Sequence, residues 1–175
     1  MATARPPYRM RPMLPADGPR LVDIFRASIE GLTEDDYSSE QQEAWMSSSE
    51  DAEAFAARLA EQLTLVATLA DEPVAFASLK GADHVEMLYV HPKAARQGVA
   101  TMLVDALEKL AGARGARKLT VDASDTARDF FTGRGYAGER RNSVFRAGES
   151  LSNTTMATTL AKPAGSGEGG ASNDN

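Results

Sequence analysis

Apolar residues recur at two spacings along this chain, and the switches between them lay out its elements. Tyr8 to Pro12 reads as a short first strand. Leu21, Ile24, Phe25, Ile29 and Leu32 then fall at helical spacing, with Gly31 marking the end of that helix. Ser38 followed by Gln41 has capping-box spacing and opens a second helix through Trp45, while Ala52, Phe55, Ala56 and Leu59 stripe a third. Leu63 to Leu69 and Val74 to Leu79 are β-rich runs on either side of Asp71-Glu72-Pro73, an antiparallel hairpin. A third run, Val85 to Val90, stops at His91-Pro92. From Val99 the apolar positions are 99, 102, 103, 106, 107 and 110, the sharpest helical stripe in the chain, ending at Gly112 to Gly115. A strand over Lys118 to Asp122, a helix over Thr126 to Thr132 closed by Gly135, and two strands, Gly138 to Arg146 and Leu151 to Leu160, complete the order. Strands and helices in this sequence predict a mixed sheet in an α/β layer, with no internal repeat.

Length and composition add bounds. The 175 residues are enough for one domain, and 42% hydrophobic content supports a real core. The Gly- and Ser-rich end, 161–175, is expected to be a disordered tail and residues 1–7 a loose arm, which leaves 8–160 as the domain. No run approaches a membrane span or a secretory signal, so a cytoplasmic protein without a membrane partner is expected. With no cysteine there is no disulfide, thiolate metal site or Cys nucleophile, and two histidines make a metal centre an unpromising reading.

Charge is unevenly spread beneath the net −6. Residues 30 to 61 hold ten acids against Arg58 alone, whereas residues 93 to 146 hold eleven Lys and Arg against six acids. One half suits a cation and the other an anion, or both are solvated faces of opposite sign. The basic half lacks the interleaved aromatic and basic cluster of a nucleic-acid surface, so no nucleic-acid partner is expected.

The chemistry-bearing unit is the strand Met87 to Val90, the loop Lys93-Ala94-Ala95-Arg96-Gln97-Gly98-Val99-Ala100, and the helix that follows. Small residues at 98 and 100 let backbone N–H groups approach a ligand, and the helix start adds positive partial charge, which together form an anion cradle. The loop lacks the Gly-Lys-Ser/Thr of a P-loop and the three glycines of a Rossmann turn.

With the strand Leu-Tyr-Val-His-Pro, the turn Arg-Gln-Gly-Val-Ala and the later Ala127-x-x-Phe130-Phe131-x-x-x-Gly135-Tyr136, nearly all of residues 8–160 resembles the GNAT superfamily of N-acetyltransferases. The stretch Asp36-Tyr37-Ser38-x-Glu40-Gln41-x-x-Ala44-Trp45 also resembles a bacterial YafP-like branch. The resemblance implies an α/β (α+β) fold, with a mixed, mostly antiparallel central sheet and helices on both faces. It further implies acetyl coenzyme A as cosubstrate, an amine-bearing acceptor (small molecule or protein lysine), and leaves homodimerisation open.

Carried across residue by residue, the pyrophosphate-binding pattern falls on Ala95, Arg96, Gln97, Gly98, Val99 and Ala100, extending to Thr101. Its first position is Ala95 rather than Gln or Arg, so Arg96 is the side chain left to compensate. Leu88, Tyr89 and Val90 would lie along the pantetheine arm, with backbone N–H groups near Val90 facing a developing oxyanion and Ser124 where many members have Asn. Glu86 is the first candidate base and His84, two residues away, the second; Tyr37 and Trp45 would wall the acceptor site. Phe131 stands where many members have a Tyr acid, so the departing thiolate would be protonated by water or by Tyr89. Two functions remain open at this level: transfer by direct attack in a ternary complex, and a coenzyme A- or acyl-holding module without turnover.

Overall fold

Alternation and helical stripes resolve into seven strands and five helices in the computed structural model, which describes residues 8–161. The expected arm over 1–7 and the tail beyond 161 lie outside the described residues. The strands are β1 (Tyr8–Pro12), β2 (Leu63–Leu69), β3 (Glu72–Lys80), β4 (His84–Val90), β5 (Lys118–Ser124), β6 (Ala137–Arg146) and β7 (Glu149–Thr159). The helices are α1 (Gly18–Leu32), α2 (Ser39–Met46), α3 (Ala52–Glu61), α4 (Val99–Ala113) and α5 (Arg128–Gly133).

One sheet takes the strand order β1-β2-β3-β4-β5-β7-β6, with β4 and β5 parallel and every other neighbour antiparallel. The apolar stripe of α4 (Val99, Leu103, Leu107) packs on one face with Leu79, Val85, Leu119 and Val121. On the other face Leu21, Phe25 and Ile29 of α1 and Phe55 and Leu59 of α3 meet Val66 and Phe76. Alternation along β2 and β3 feeds both cores at once, so these central strands are buried almost end to end. No helix among the described residues is long and apolar enough to cross a membrane.

Two turns depart from the sequence reading. The β2–β3 loop is Ala70-Asp71, both at positive φ (49° and 66°), and Glu72 already pairs with Leu69. That is a two-residue hairpin of the kind whose twist matches the strands, so Pro73 sits inside β3, at a register shift where a missing N–H is tolerated. Gly31, read as a helix end, lies within α1. Its Cβ would stand 2.6 Å from Pro92 Cγ, so the glycine is there for close approach to the loop after β4.

Candidate active site

The parallel pair β4 and β5 is in register only at His84–Thr120 and Val85–Val121, after which the strands part. Backbone groups of Leu88 to Val90 that would continue that ladder are left facing a gap. The gap is a cleft of about 480 Å³. Leu88, Tyr89 and Val90 line one side, Ser124, Thr126 and Ala127 the other, and the start of α4 closes one end.

The loop into α4 is shaped by two left-handed residues, Arg96 at φ 60° and Gly98 at φ 84°. Glycine carries the second at no steric cost, and nothing lies within 4 Å of its missing Cβ. The first bond of the helix runs from Met102 N–H to Gly98 O, so the amides of Val99, Ala100 and Thr101 have no partner inside the helix. Arg96, Gly98, Val99, Ala100 and Thr101 all border the cleft. Gln97 does not: its amide donates to Lys93 O at 3.1 Å and its carbonyl accepts from Tyr8, which ties the loop to β1.

Beyond the cleft lies a second chamber of about 250 Å³, and Trp45, Tyr89 and Ser124 border both. Its chemistry depends on a bulge. Leu79 pairs with Val85 while Ser78 pairs with Met87, so Glu86 is an extra residue in β4. The bulge shifts the alternation: Val85, Leu88 and Val90 pack toward α4, while His84, Glu86, Met87 and Tyr89 all line the chamber. Strict alternation would have put Glu86 on the same face as Leu88. His84 Nε2 lies 3.8 Å from Glu86 and 3.9 Å from Asp122, and its Nδ1 is 2.7 Å from Thr120 Oγ1.

Aromatic side chains form the wall between the two chambers. Phe25 meets Tyr89 edge-on at 4.7 Å, Tyr89 meets Trp45 at 6.2 Å and Trp45 meets Tyr37 at 5.3 Å between ring centroids. Trp45 Nε1–H donates to Tyr89 Oη at 3.1 Å. Burial pushes the Tyr89 hydroxyl up to about 12, so it stays protonated and keeps its own proton to give.

Tyr37 is buried, and its hydroxyl accepts from Asp125 N–H at 2.9 Å and donates to Ser152 O at 2.8 Å, clasping the α1–α2 loop to the ends of β5 and β7. Burial raises its pKa as well. Arg141 grips Asp125 with both guanidinium nitrogens and holds that carboxyl below its usual range. Ser124 Oγ accepts from Ala127 N–H at 3.1 Å, leaving its proton to donate. Phe131 borders the cleft but is 1% exposed, stacked between Phe130 and Tyr136 at 5.1 and 5.0 Å. The Tyr136 hydroxyl donates to Glu108, on the side of α4 away from this gap.

Sequence reasoning missed Arg58, Asp122 and Arg146, which also line the chamber. Tertiary folding alone brings α3, β5 and the end of β6 together. Arg58 did leave a trace, as the lone cation of residues 30 to 61. A larger cavity, about 870 Å³ beside β1 and α3, is lined mainly by apolar side chains with Glu53 as its one charged residue, and offers no convergent polar groups.

A parallel pair that opens beside a helix start, with a polar chamber beyond it, gives two adjoining seats for ligands. Residues 33–160 match the model of the acetyltransferase (GNAT) domain, and the chain belongs to that family. It is an acyltransferase, and the reaction common to the family is acetyl transfer from acetyl coenzyme A.

Among particular relatives, the chain is 31% identical over 148 residues to the uncharacterized N-acetyltransferase YafP of Escherichia coli, covering 85% of this chain and 93% of that one. It is 59% identical to a GCN5-related N-acetyltransferase from Rhodopseudomonas palustris whose crystal structure superposes with TM-score 0.87, over 91% of this chain and 99% of that one. The PaiA N-acetyltransferase from Thermoplasma acidophilum, solved in complex with coenzyme A, shares the fold at 16% identity and TM-score 0.72, over 87% of this chain and 99% of that chain.

Proposed function

We propose that this chain moves an acetyl group from acetyl coenzyme A to a primary amine by direct attack in a ternary complex. The observation that carries the reading is the junction of two chambers at Trp45, Tyr89 and Ser124, which offers separate seats for cosubstrate and acceptor. The unpartnered amides at the start of α4 suit a pyrophosphate, with Arg96 beside them, and the free edge of Leu88 to Val90 suits the amide groups of a pantetheine arm. An ordinary alkyl ammonium, with pKa near 10.4, must lose a proton before it can attack. Glu86, turned into the acceptor chamber by the bulge, takes it directly or through a water, and His84 and Asp122 extend the polar path.

The chain has no cysteine to form an acyl-thioester enzyme, which supports direct attack. The departing thiolate, with a pKa near 8.5, is a fair leaving group at neutral pH. It needs no strong acid, which accommodates Phe131 in place of a tyrosine. Water or the Tyr89 hydroxyl returns the proton afterwards.

The test is release of free coenzyme A thiol from acetyl coenzyme A across a panel of primary amines, with the N-acetyl product identified by mass. Amine-dependent release supports transfer. Tight coenzyme A binding with no amine-dependent release from any member would make the protein a holder of the thioester instead.

A further inference from the structure

The acceptor chamber carries more charge than deprotonation of an amine uses. Glu86 and Asp122 flank His84 within it, and two arginines enter from distant parts of the chain: Arg58 in the last turn of α3 and Arg146 at the end of β6. Neither has a carboxylate within ion-pair distance among the described residues. Arg11, Arg20, Arg134 and Arg141 each do. Arg58 lies over the Phe55 ring, 5.8 Å from its Cζ to the centroid. The charge of Arg146 is felt at the Tyr89 hydroxyl, which borders both chambers.

Two carboxylates and two unpaired guanidinium groups around one small space complement a molecule that carries both signs. An ammonium answered by Glu86 and Asp122 still leaves the arginines to be answered, and a carboxylate on the same molecule does so. A second ammonium, as on a polyamine or an aminoglycoside, would instead meet like charge. Apolar surface from Trp45 and Met87 supplies a seat for a carbon skeleton. The volume of about 250 Å³ equals that of about eight waters at roughly 30 Å³ each, the scale of a single amino acid.

We infer that the acceptor is a small amino-acid-like zwitterion, its amine directed at Glu86 and its carboxylate held by Arg58 and Arg146. This rests on the acetyltransferase reading for its chemistry, but the binding it requires can be measured without turnover.

The experiment is calorimetric titration, at pH 7, of the full chain saturated with coenzyme A. The probes are pairs that differ by a carboxylate: leucine and isopentylamine, phenylalanine and phenethylamine, β-alanine and ethylamine, with spermidine as the polycation. At least one carboxylate-bearing probe is expected to bind about tenfold or more tightly than its partner, a margin of about 1.4 kcal/mol. That margin should fall to about threefold or less in Arg58→Gln/Arg146→Gln, and should narrow in the unaltered protein as salt is raised. The salt series needs no variant, so it reads out even where the double substitution perturbs folding.

No margin in any pair, a margin that persists in a folded double variant, or tightest binding of spermidine would overturn the inference. Amine-dependent thiol release without a carboxylate margin would retain transfer and remove this acceptor class. A margin without product would retain the site and remove transfer.

Discussion

At the scale of single residues, the bulge at Glu86 decides which side chains share the polar chamber beyond the cleft. Period-two spacing puts His84 and Glu86 on one face, and both do line the chamber; Glu86 is itself the bulged residue, so the alternation changes sense between it and Leu88. A bulge leaves no mark in hydrophobic alternation as short as Val85 to Val90, so that part of the site was not legible. Replacing Glu86 by Gln keeps the shape and removes the proposed base. The turnover number should drop by about 10²- to 10⁴-fold at neutral pH, with the deficit shrinking as pH rises and the amine deprotonates unaided. A pH–rate profile parallel to that of the unaltered enzyme would remove Glu86 from the proton path. Tyr89 gives a second test, read in stability. Its folded pKa of about 12 lies above the unfolded value near 10, so the folded state holds this proton more tightly. Its contribution is therefore complete below pH 10 and is lost as pH rises from 10 toward 12. Tyr89→Phe should flatten the fall of melting temperature across that window, leaving the part due to Tyr37 and Tyr136, whose pKa values are also raised by burial.

At the scale of elements, sequence patterning located what local physics determines. The stripe from Val99 gave α4 at its observed start, and Ser38 with Gln41 makes the capping box of α2, with Ser38 Oγ accepting Gln41 N–H at 3.1 Å. The hairpin of β2 and β3 was likewise legible, but its turn was not. Ala70 adopts positive φ without the Gly or Asn that usually announces it, so the sequence places the turn at Asp71-Glu72-Pro73 instead. Gly31 shows the same limit, since a packing glycine and a terminating glycine look alike in a sequence. Substituting it distinguishes them. Alanine is the better helix former by about 1 kcal/mol, and a terminating or idle glycine would gain from it. A Cβ 2.6 Å from Pro92 Cγ instead forces α1 and the loop before α4 apart, at a cost of about 1–3 kcal/mol for overpacking. The clash is the larger effect, so Gly31→Ala should lower the melting temperature. A higher one would show that α1 and the loop separate freely.

At the scale of the whole molecule, the sheet is one continuous surface joined across its middle by two register pairs between β4 and β5. One half, β1 to β4, carries α1 and α3; the other, β5 to β7, is locked by the long β6–β7 hairpin, and α4 spans from the first toward the second. Strand order and the parting of β4 from β5 are tertiary facts, visible in the sequence only through family resemblance, because nothing local in Leu88 to Val90 says that its neighbour is missing. A cosubstrate seated there would supply partners to both strands and to the amides of α4. Binding to the folded state alone adds about 2.7 kcal/mol at a hundredfold excess over Kd. For a domain of this size that is a rise in melting temperature of roughly 5–10 °C. Coenzyme A should produce a shift of that order. Amide exchange should slow along Leu88 to Val90, around Ser124 to Ala127 and at Val99 to Thr101, and much less in the β6–β7 hairpin, which needs no new partner. Gly98→Glu should abolish both effects, since it puts a bulky anion at a left-handed position (φ 84°) beside those amides. Raising salt should weaken the binding, as expected for a phosphate held by backbone dipoles and Arg96. Protection confined to the apolar cavity beside α3, or a shift that survives Gly98→Glu unchanged, would mean that coenzyme A binds elsewhere on this fold.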